Sequence, residues 1–279
     1  MSNHETAFLA AMADAGLAMH KPALVGDGRL HRYRVEGDKP GSTNGWFVLH
    51  NDGQPFGAFG SWKTGQSMTW TAAKPETMSG AERKAMHERL AATKAARDAE
   101  QTKIYDAAAK RAVSLWAKSG PANNEHPYLL KKRVPAYGLR LLRNQLVVPL
   151  RDSHGNLKTL QFIAEDGRKT FLTGGRKRGC YHAIGRIEGV ICLAEGYATG
   201  ATIHQATGFA TAIAFDAGNL LPVARALRGK FPRLQFVVCA DNDTETPGNP
   251  GLTKAREAAK AIGAALAVPT FEEVRHDGA

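Results

Sequence analysis

Between Val190 and Val268, three short apolar runs alternate with segments of helical spacing. Ile191 to Ala194 ends at Glu195, Ala210 to Phe215 is followed by Asp216, and Phe236 to Ala240 ends at Asp241. Each run has the length of a strand. Continuous apolar strands separated by helices are buried on both faces, and in βαβαβ order they make a parallel sheet covered by helices. Sheets of this kind bind ligands beyond the carboxyl ends of their strands. That is where this chain places its acids.

Asp241 and Asp243 stand at i and i+2, so in an extended chain their side chains point the same way. Glu195 arrives from the end of a different strand, and Glu245 continues the alternation Asp-Asn-Asp-Thr-Glu. Crowded carboxylates raise one another's pKa, and a hard divalent cation removes that conflict. Mg²⁺ (or Mn²⁺) takes a few carboxylate oxygens, keeps several waters and leaves room for substrate phosphates. With no His or Cys in the cluster, zinc is disfavoured. The expected metal set is Glu195, Asp241, Asp243 and Glu245; the competing reading is ordinary solvated acids. Asp216 is read as a helix cap, and Gly196 as a bend close to Glu195.

Two groups of motifs carry a family resemblance. Glu195-Gly196-Tyr197-Ala198-Thr199 and Asp241-Asn242-Asp243, each after a strand-length run, resemble the Toprim domain of DnaG-type primases, topoisomerases and some nucleases. HPYLLKKRVPAYGLR (126–140), LVVPLRDSHGNLKTLQFI (146–163) and DGRKTFLTGG (166–175) resemble the segment that precedes Toprim in bacterial, phage and plasmid primases. Together they span about residues 105–268. They are most like the short primase-like proteins of phages, plasmids and integrative elements.

The resemblance implies a DNA primase: a nucleotidyltransferase making short primers on single-stranded DNA from NTPs by two-metal phosphoryl transfer. Asp241 and Asp243 would hold metal, and Glu195 would act as a ligand or as a base. Lys169 would meet the phosphates of the incoming nucleotide. Arg151, Arg168, Arg176, Lys177 and Arg178 are the further candidates for nucleotide or template. No P-loop spacing occurs, so a separate replicative helicase or element replication protein is an expected partner. A Toprim nuclease and a non-catalytic nucleic-acid-binding accessory protein remain alternatives. The basic segment before the acids, which such a nuclease does not need, favours synthesis.

The rest of the chain fits a polyanionic partner. Its formal charge is +11 with a pI near 9.7, and residues 140–178 carry nine Lys or Arg against three acids. Such a balance favours nucleic acid or nucleotides. Residues 5–19 have helical spacing, ending near Gly16. Leu30 to Trp70 alternates apolar and polar residues between Gly-Asp, Asn-Gly and Asp-Gly turns, as a small antiparallel sheet does. Its aromatics, Trp46, Phe47, Phe56, Phe59, Trp62 and Trp70, read chiefly as core. The competing reading is a stacking surface with the nearby Arg residues. His31 and His50 have no cysteine partners, so the zinc-binding module usual at the start of DnaG-type primases is not expected. Ser79 to Lys118 reads as one long helix. Cys180, Cys192 and Cys239 form no CxxC pair, which suits a reducing cytoplasm. No apolar run has the length of a membrane span.

The expected organisation is a β-rich domain at 1–78, a helical linker at 79–120, a basic α+β subdomain at 121–189 and a Toprim-like α/β domain at 190–270. The expected fold class is thus α/β: a parallel sheet covered by helices, preceded by the basic subdomain, with a small antiparallel β-rich domain and a long linker helix ahead of both.

Overall fold

The computed structural model describes residues 2–52, 54–72, 79–242, 246 and 248–269. The chain divides into two compact units, Met1–Thr102 and Lys103–Ala279. The division falls inside one long helix, α2.

In the first unit, α1 (Asn3–Asp14) opens with Ser2 and Glu5 capping one another's backbone N–H. This reciprocal pair satisfies two donors that a helix start leaves without partners. The helix ends at Asp14, and Gly16 turns the chain at φ +71°, the stop expected near that glycine. Strands β1 (His31–Tyr33), β2 (Gly45–His50), β3 (Phe56–Ser61) and β4 (Ser67–Thr71) pair antiparallel in sequence order. Their alternation sends Phe47, Leu49 and Phe59 to one face, where they bury Phe8 and Met12 of α1. The Phe8 ring meets Phe59 and Trp70 edge-on, at centroid distances of 5.5 and 5.3 Å. Most of the aromatics here therefore build core, as expected.

Helix α2 (Gly80–Lys118) starts within this unit. Arg89 pairs with Asp52 at 2.8 Å and Arg97 reaches the Ser67 hydroxyl at 3.2 Å.

In the second unit, the last turns of α2 lay Ala112, Leu115 and Trp116 on a five-stranded antiparallel sheet. The strands are β5 (Gly120–Pro121), β6 (Arg140–Leu142), β7 (Gln145–Arg151), β8 (Leu157–Ile163) and β9 (Lys169–Phe171), paired in that order. Helix α3 (Pro127–Lys132) lies between β5 and β6. His126 caps its start, and Arg133 ends it in the left-handed conformation.

The remaining elements are β10 (His182–Ile184), β11 (Val190–Ala194), α4 (Tyr197–Thr207), β12 (Ala210–Ile213), α5 (Ala217–Lys230), β13 (Gln235–Cys239), α6 (Pro250–Ile262) and β14 (Ala265–Ala267). Their sheet runs β10-β12-β11-β13-β14. The last four strands in that order are mutually parallel, as the alternating pattern predicts. The antiparallel edge strand β10 is an addition the pattern did not announce.

Both faces of this sheet are covered. Ile191, Leu193, Phe236 and Val238 face Leu220, Val223 and Leu227 of α5 and Ala255, Ala258 and Ile262 of α6. On the opposite face, Tyr197 and Ala201 of α4 and Ile213 join Leu146, Val148 and Ile163 of the antiparallel sheet with Tyr128 and Leu129 of α3. Each fully buried aliphatic side chain contributes roughly 1.5–3 kcal/mol, so the two sheets are held together by a shared apolar core. The α4 face depends on Gly200, where a Cβ would lie 2.7 Å from the Ile213 side chain. Among the described residues, no helix is long and apolar enough to cross a membrane.

Candidate active site

Three strand ends converge in the parallel sheet. Glu195 follows β11, Asp216 lies after β12, and Asp241 lies after β13. Glu195 and Asp241 are half-buried, and both have pKa values raised above the ordinary carboxylate range. Burial is the largest cause for each. For Glu195 the charges of Asp241 and then Asp216 add to it. The charges of Asp241 and Asp216 thus reach Glu195 from two other strand ends.

Local contacts bear on each carboxylate. The N–H of Ala217, the first residue of α5, lies near Glu195 and favours its charged form. The Thr199 hydroxyl on α4 lies near Asp241 and favours its charged form, partly offsetting the effect of burial. Gly251, in the first turn of α6, lies so close to Asp241 that a Cβ there would stand 2.7 Å from its backbone oxygen. Asp216 caps α5 by accepting from the Asn219 N–H at 2.9 Å. It also pairs with Lys177 at 3.1 Å, so it is both the expected cap and a member of the charged cluster.

Between Glu195 and Asp216 the backbone is unusual. Phe215 has φ +74°, a conformation that costs a bulky residue about 1–3 kcal/mol and persists where surrounding contacts enforce it. Its N–H donates to the Glu195 carbonyl at 2.7 Å, and its ring meets Phe171 edge-on at 6.1 Å. Gly196, in contrast, has ordinary extended angles and space for a side chain. The glycine that the geometry demands here is Gly200, not Gly196.

The basic segment supplies two cations to the acids. Lys169, at the start of β9, lies within electrostatic range of both Asp241 and Glu195, without a direct ion pair to either. Its pKa is lowered, first by desolvation and then by the neighbouring charge of Lys132, with the two acids opposing. Solvent still reaches the residue as a whole, but the protein around its ammonium, including the Tyr128 ring at 5.8 Å, outweighs that access. Lys177 lies over Phe171 at 4.6 Å as well as pairing with Asp216.

The other predicted cations are placed differently. Arg151 donates to the Gly155 carbonyl at 3.0 Å and lines a separate cavity with Trp116, Tyr181 and His182. Arg176 reaches Asp152 at 3.5 Å. Arg168 stands exposed at the turn before β9, beside Asp166, and Arg178 is exposed on the following loop. Asn219, missed in the sequence, holds that loop. Buried at 4 % exposure, it accepts from the Gly179 N–H and places its amide against the carbonyls of Lys177, Cys180 and Ala214. It thereby aims Lys177 at Asp216.

Asp243 and Glu245 lie outside the described residues. Among the described residues, no three His, Cys, Asp or Glu gather closely enough to hold a metal. Glu195 and Asp241 supply oxygen donors whose mutual repulsion a hard divalent cation would relieve. That donor chemistry fits Mg²⁺ or Mn²⁺.

Residues 189–269, which hold the parallel strands β11 to β14 and their helices, match the family model for the Toprim domain. Two proteins called DNA primase TraC, both from Escherichia coli, are similar over most of the chain. One is 39 % identical over 257 residues, covering 88 % of this chain and 24 % of the relative. The other is 37 % identical over 280 residues, covering 95 % of this chain and 19 % of the relative. The chain thus spans about a quarter or less of the length of these relatives. The primase fragment of the bacteriophage T7 primase-helicase protein is similar over 52 % of this chain and 60 % of that structure, at 13 % identity and a TM-score of 0.37, a likeness too slight to carry an argument.

Proposed function

We propose that this Toprim-containing chain is the catalytic core of a DNA primase, joining NTPs into short primers on a single-stranded DNA template. The observation that carries the reading is Lys169. One cation from the basic segment acts on two carboxylates from different strands of the Toprim sheet, which sets phosphate-binding and acidic groups side by side. Similarity to the two TraC primases over most of the chain supports it.

In this reading a 3′-hydroxyl attacks the α-phosphate of the incoming NTP and pyrophosphate leaves. Glu195, Asp241 and Asp243, with Glu245 assisting, would hold Mg²⁺ or Mn²⁺, which supplies charge neutralisation at the attacking and leaving oxygens. Lys169 and Lys177 hold the phosphates and offset their developing charge, a contribution that counts for more in a partly desolvated site. Thr199 and the Ala217 N–H, near the two described carboxylates, favour their charged, metal-binding form. Arg168 and Arg178, exposed beside the site, take template or nucleotide phosphates. Arg151 and Arg176, engaged at the β7–β8 turn, have a weaker claim. A helicase or another replication protein would open the duplex.

The test is labelled-nucleotide incorporation on single-stranded DNA with and without Mg²⁺. Asp241→Ala is expected to lower metal-dependent synthesis by about 10²-fold or more, with an unchanged circular dichroism spectrum. Normal synthesis by that variant would refute the assignment. Shortened template in place of new product would identify a Toprim nuclease.

A further inference from the structure

The first unit holds a cavity of about 470 Å³ that the proposed chemistry does not use. Its floor is the face of the β1–β4 sheet turned away from α1. In the strand register, Trp46 stands opposite Gly60, which stands opposite Ser67; Val48, Ala58 and Thr69 form the next row. Trp46 is therefore the one large ring in these two rows, and small side chains follow it. Gly60 is required for this arrangement, because a Cβ there would come within 2.6 Å of the Trp46 ring.

The roof is the first half of α2. His87, Leu90, Ala91, Lys94 and Arg97 all line the space, and their spacing of three and four residues places them along one side of the helix. A helix that packs on a sheet normally offers an apolar stripe. Here only Leu90 is a large apolar residue, so the space over Ala58, Ser67 and Thr69 remains unfilled.

The charge of the lining points to its occupant. Lys94, Arg97 and His87 border the cavity, and among the described residues no carboxylate lines it. The Arg97 guanidinium lies over the Trp46 ring at 4.8 Å and is held by the Ser67 hydroxyl at 3.2 Å and Asp98 at 2.9 Å. Lys94 is exposed on the rim. A largely apolar cavity with the Arg97 plane laid over the buried Trp46 ring, 2 % exposed, and an ammonium exposed on its rim suits a ligand that is aromatic at one end and anionic at the other. The volume lies within the range of small-molecule sites.

We propose that this cavity takes one nucleotide unit of single-stranded DNA, its base packed among Trp46, Leu90 and Ala91 beside Arg97, its phosphate on Lys94. The site reads no base sequence, because it presents surfaces to the base and a point charge to the backbone. It works apart from the Toprim acids and gives the chain a second hold on template.

The test uses the full chain in EDTA, so that catalysis plays no part. An oligonucleotide carrying 5-iodouracil is photo-crosslinked to the protein and the adduct is mapped by peptide mass spectrometry. The expected adduct lies in peptides that contain Trp46 or residues 87–97. Ala91→Trp, at an exposed helix position, fills the slot and is expected to lower that adduct about tenfold. Lys94→Ala is expected to reduce the slope of log affinity against log salt, read by fluorescence anisotropy, by about 0.7, the value for one lost single-strand phosphate contact. Adducts confined to residues 103–269, with salt slopes unchanged in Lys94→Ala, would overturn the proposal. An adduct with 5-iodo-dUMP but none with the oligonucleotide would overturn the strand assignment in favour of a free nucleotide.

Discussion

Acid should weaken the second unit through one side chain. His182, on the antiparallel edge strand β10, is 5 % exposed. Its Nε2 donates to the Tyr137 carbonyl at 2.8 Å, its ring faces Tyr197 at 5.9 Å, and Gly138 lies against it. It pins the chain entering β6 to the parallel sheet. Burial pulls its pKa from 6.5 to about 4, and the nearby charge of Arg151 adds to that effect. A histidine whose folded pKa is lowered binds its proton more readily in the unfolded chain. Its contribution is therefore complete above about pH 6.5 and is lost as pH falls toward 4. The full difference corresponds to about 3 kcal/mol at 1.36 kcal/mol per tenfold change in proton affinity. About 2.5 kcal/mol of it should disappear between roughly pH 7.5 and 4.5.

Glu195 and Asp241 act in the opposite direction. Their raised pKa values mean that acid relieves an unfavourable charge in the folded state, so the raw profile is shallower than His182 alone would make it. Comparison with His182→Gln, which keeps a donor for Tyr137 and cannot titrate, removes those shared contributions. The three cysteines are free and all lie in the second unit. The urea dependence of their reaction with a dipyridyl disulfide, which proceeds even in acid, therefore reports that unit. The wild type should lose about 2.5 kcal/mol more than His182→Gln over this interval. Parallel profiles for the two proteins would refute the reasoning.

Three further outcomes follow from close contacts. Gly200→Ala should destabilise the second unit by about 1–3 kcal/mol, read as a lower urea midpoint, because its Cβ would meet Ile213 at 2.7 Å. Gly251→Ala should reduce nucleotide incorporation about tenfold or more, since its Cβ would meet the Asp241 backbone oxygen at 2.7 Å and small displacements of catalytic groups are costly; full activity would exclude this role. Asn219→Ala should cost about 2–4 kcal/mol through its lost buried hydrogen bonds; at permissive temperature it should raise KM for NTP as Lys177 loses its aim, whereas an unchanged KM would make Asn219 purely structural.

The parts legible in the sequence and the parts that were not differ in physical range. Strands β11, β12 and β13 are buried on both faces, so the apolar runs from Ile191, Ala210 and Phe236 announce them and their terminal acids directly. The approach of Lys169 to Glu195 and Asp241 was not legible in the local pattern, because it depends on how one sheet packs on another. Edge strand β10 was invisible: three residues, His182 to Ile184, carry too short a period to separate from a loop. Gly200, Gly251 and Asn219 were illegible for a related reason. Glycine records its need for space only when Ile213 or the Asp241 backbone stands opposite, and an asparagine before a leucine reads as a helix start until three carbonyls converge on its amide. The acids of such a site can be inferred from strand ends because local burial places them. The groups that aim them are chosen by contacts tens of residues apart, and substitution at those contacts, with the acids left intact, separates orientation from chemistry.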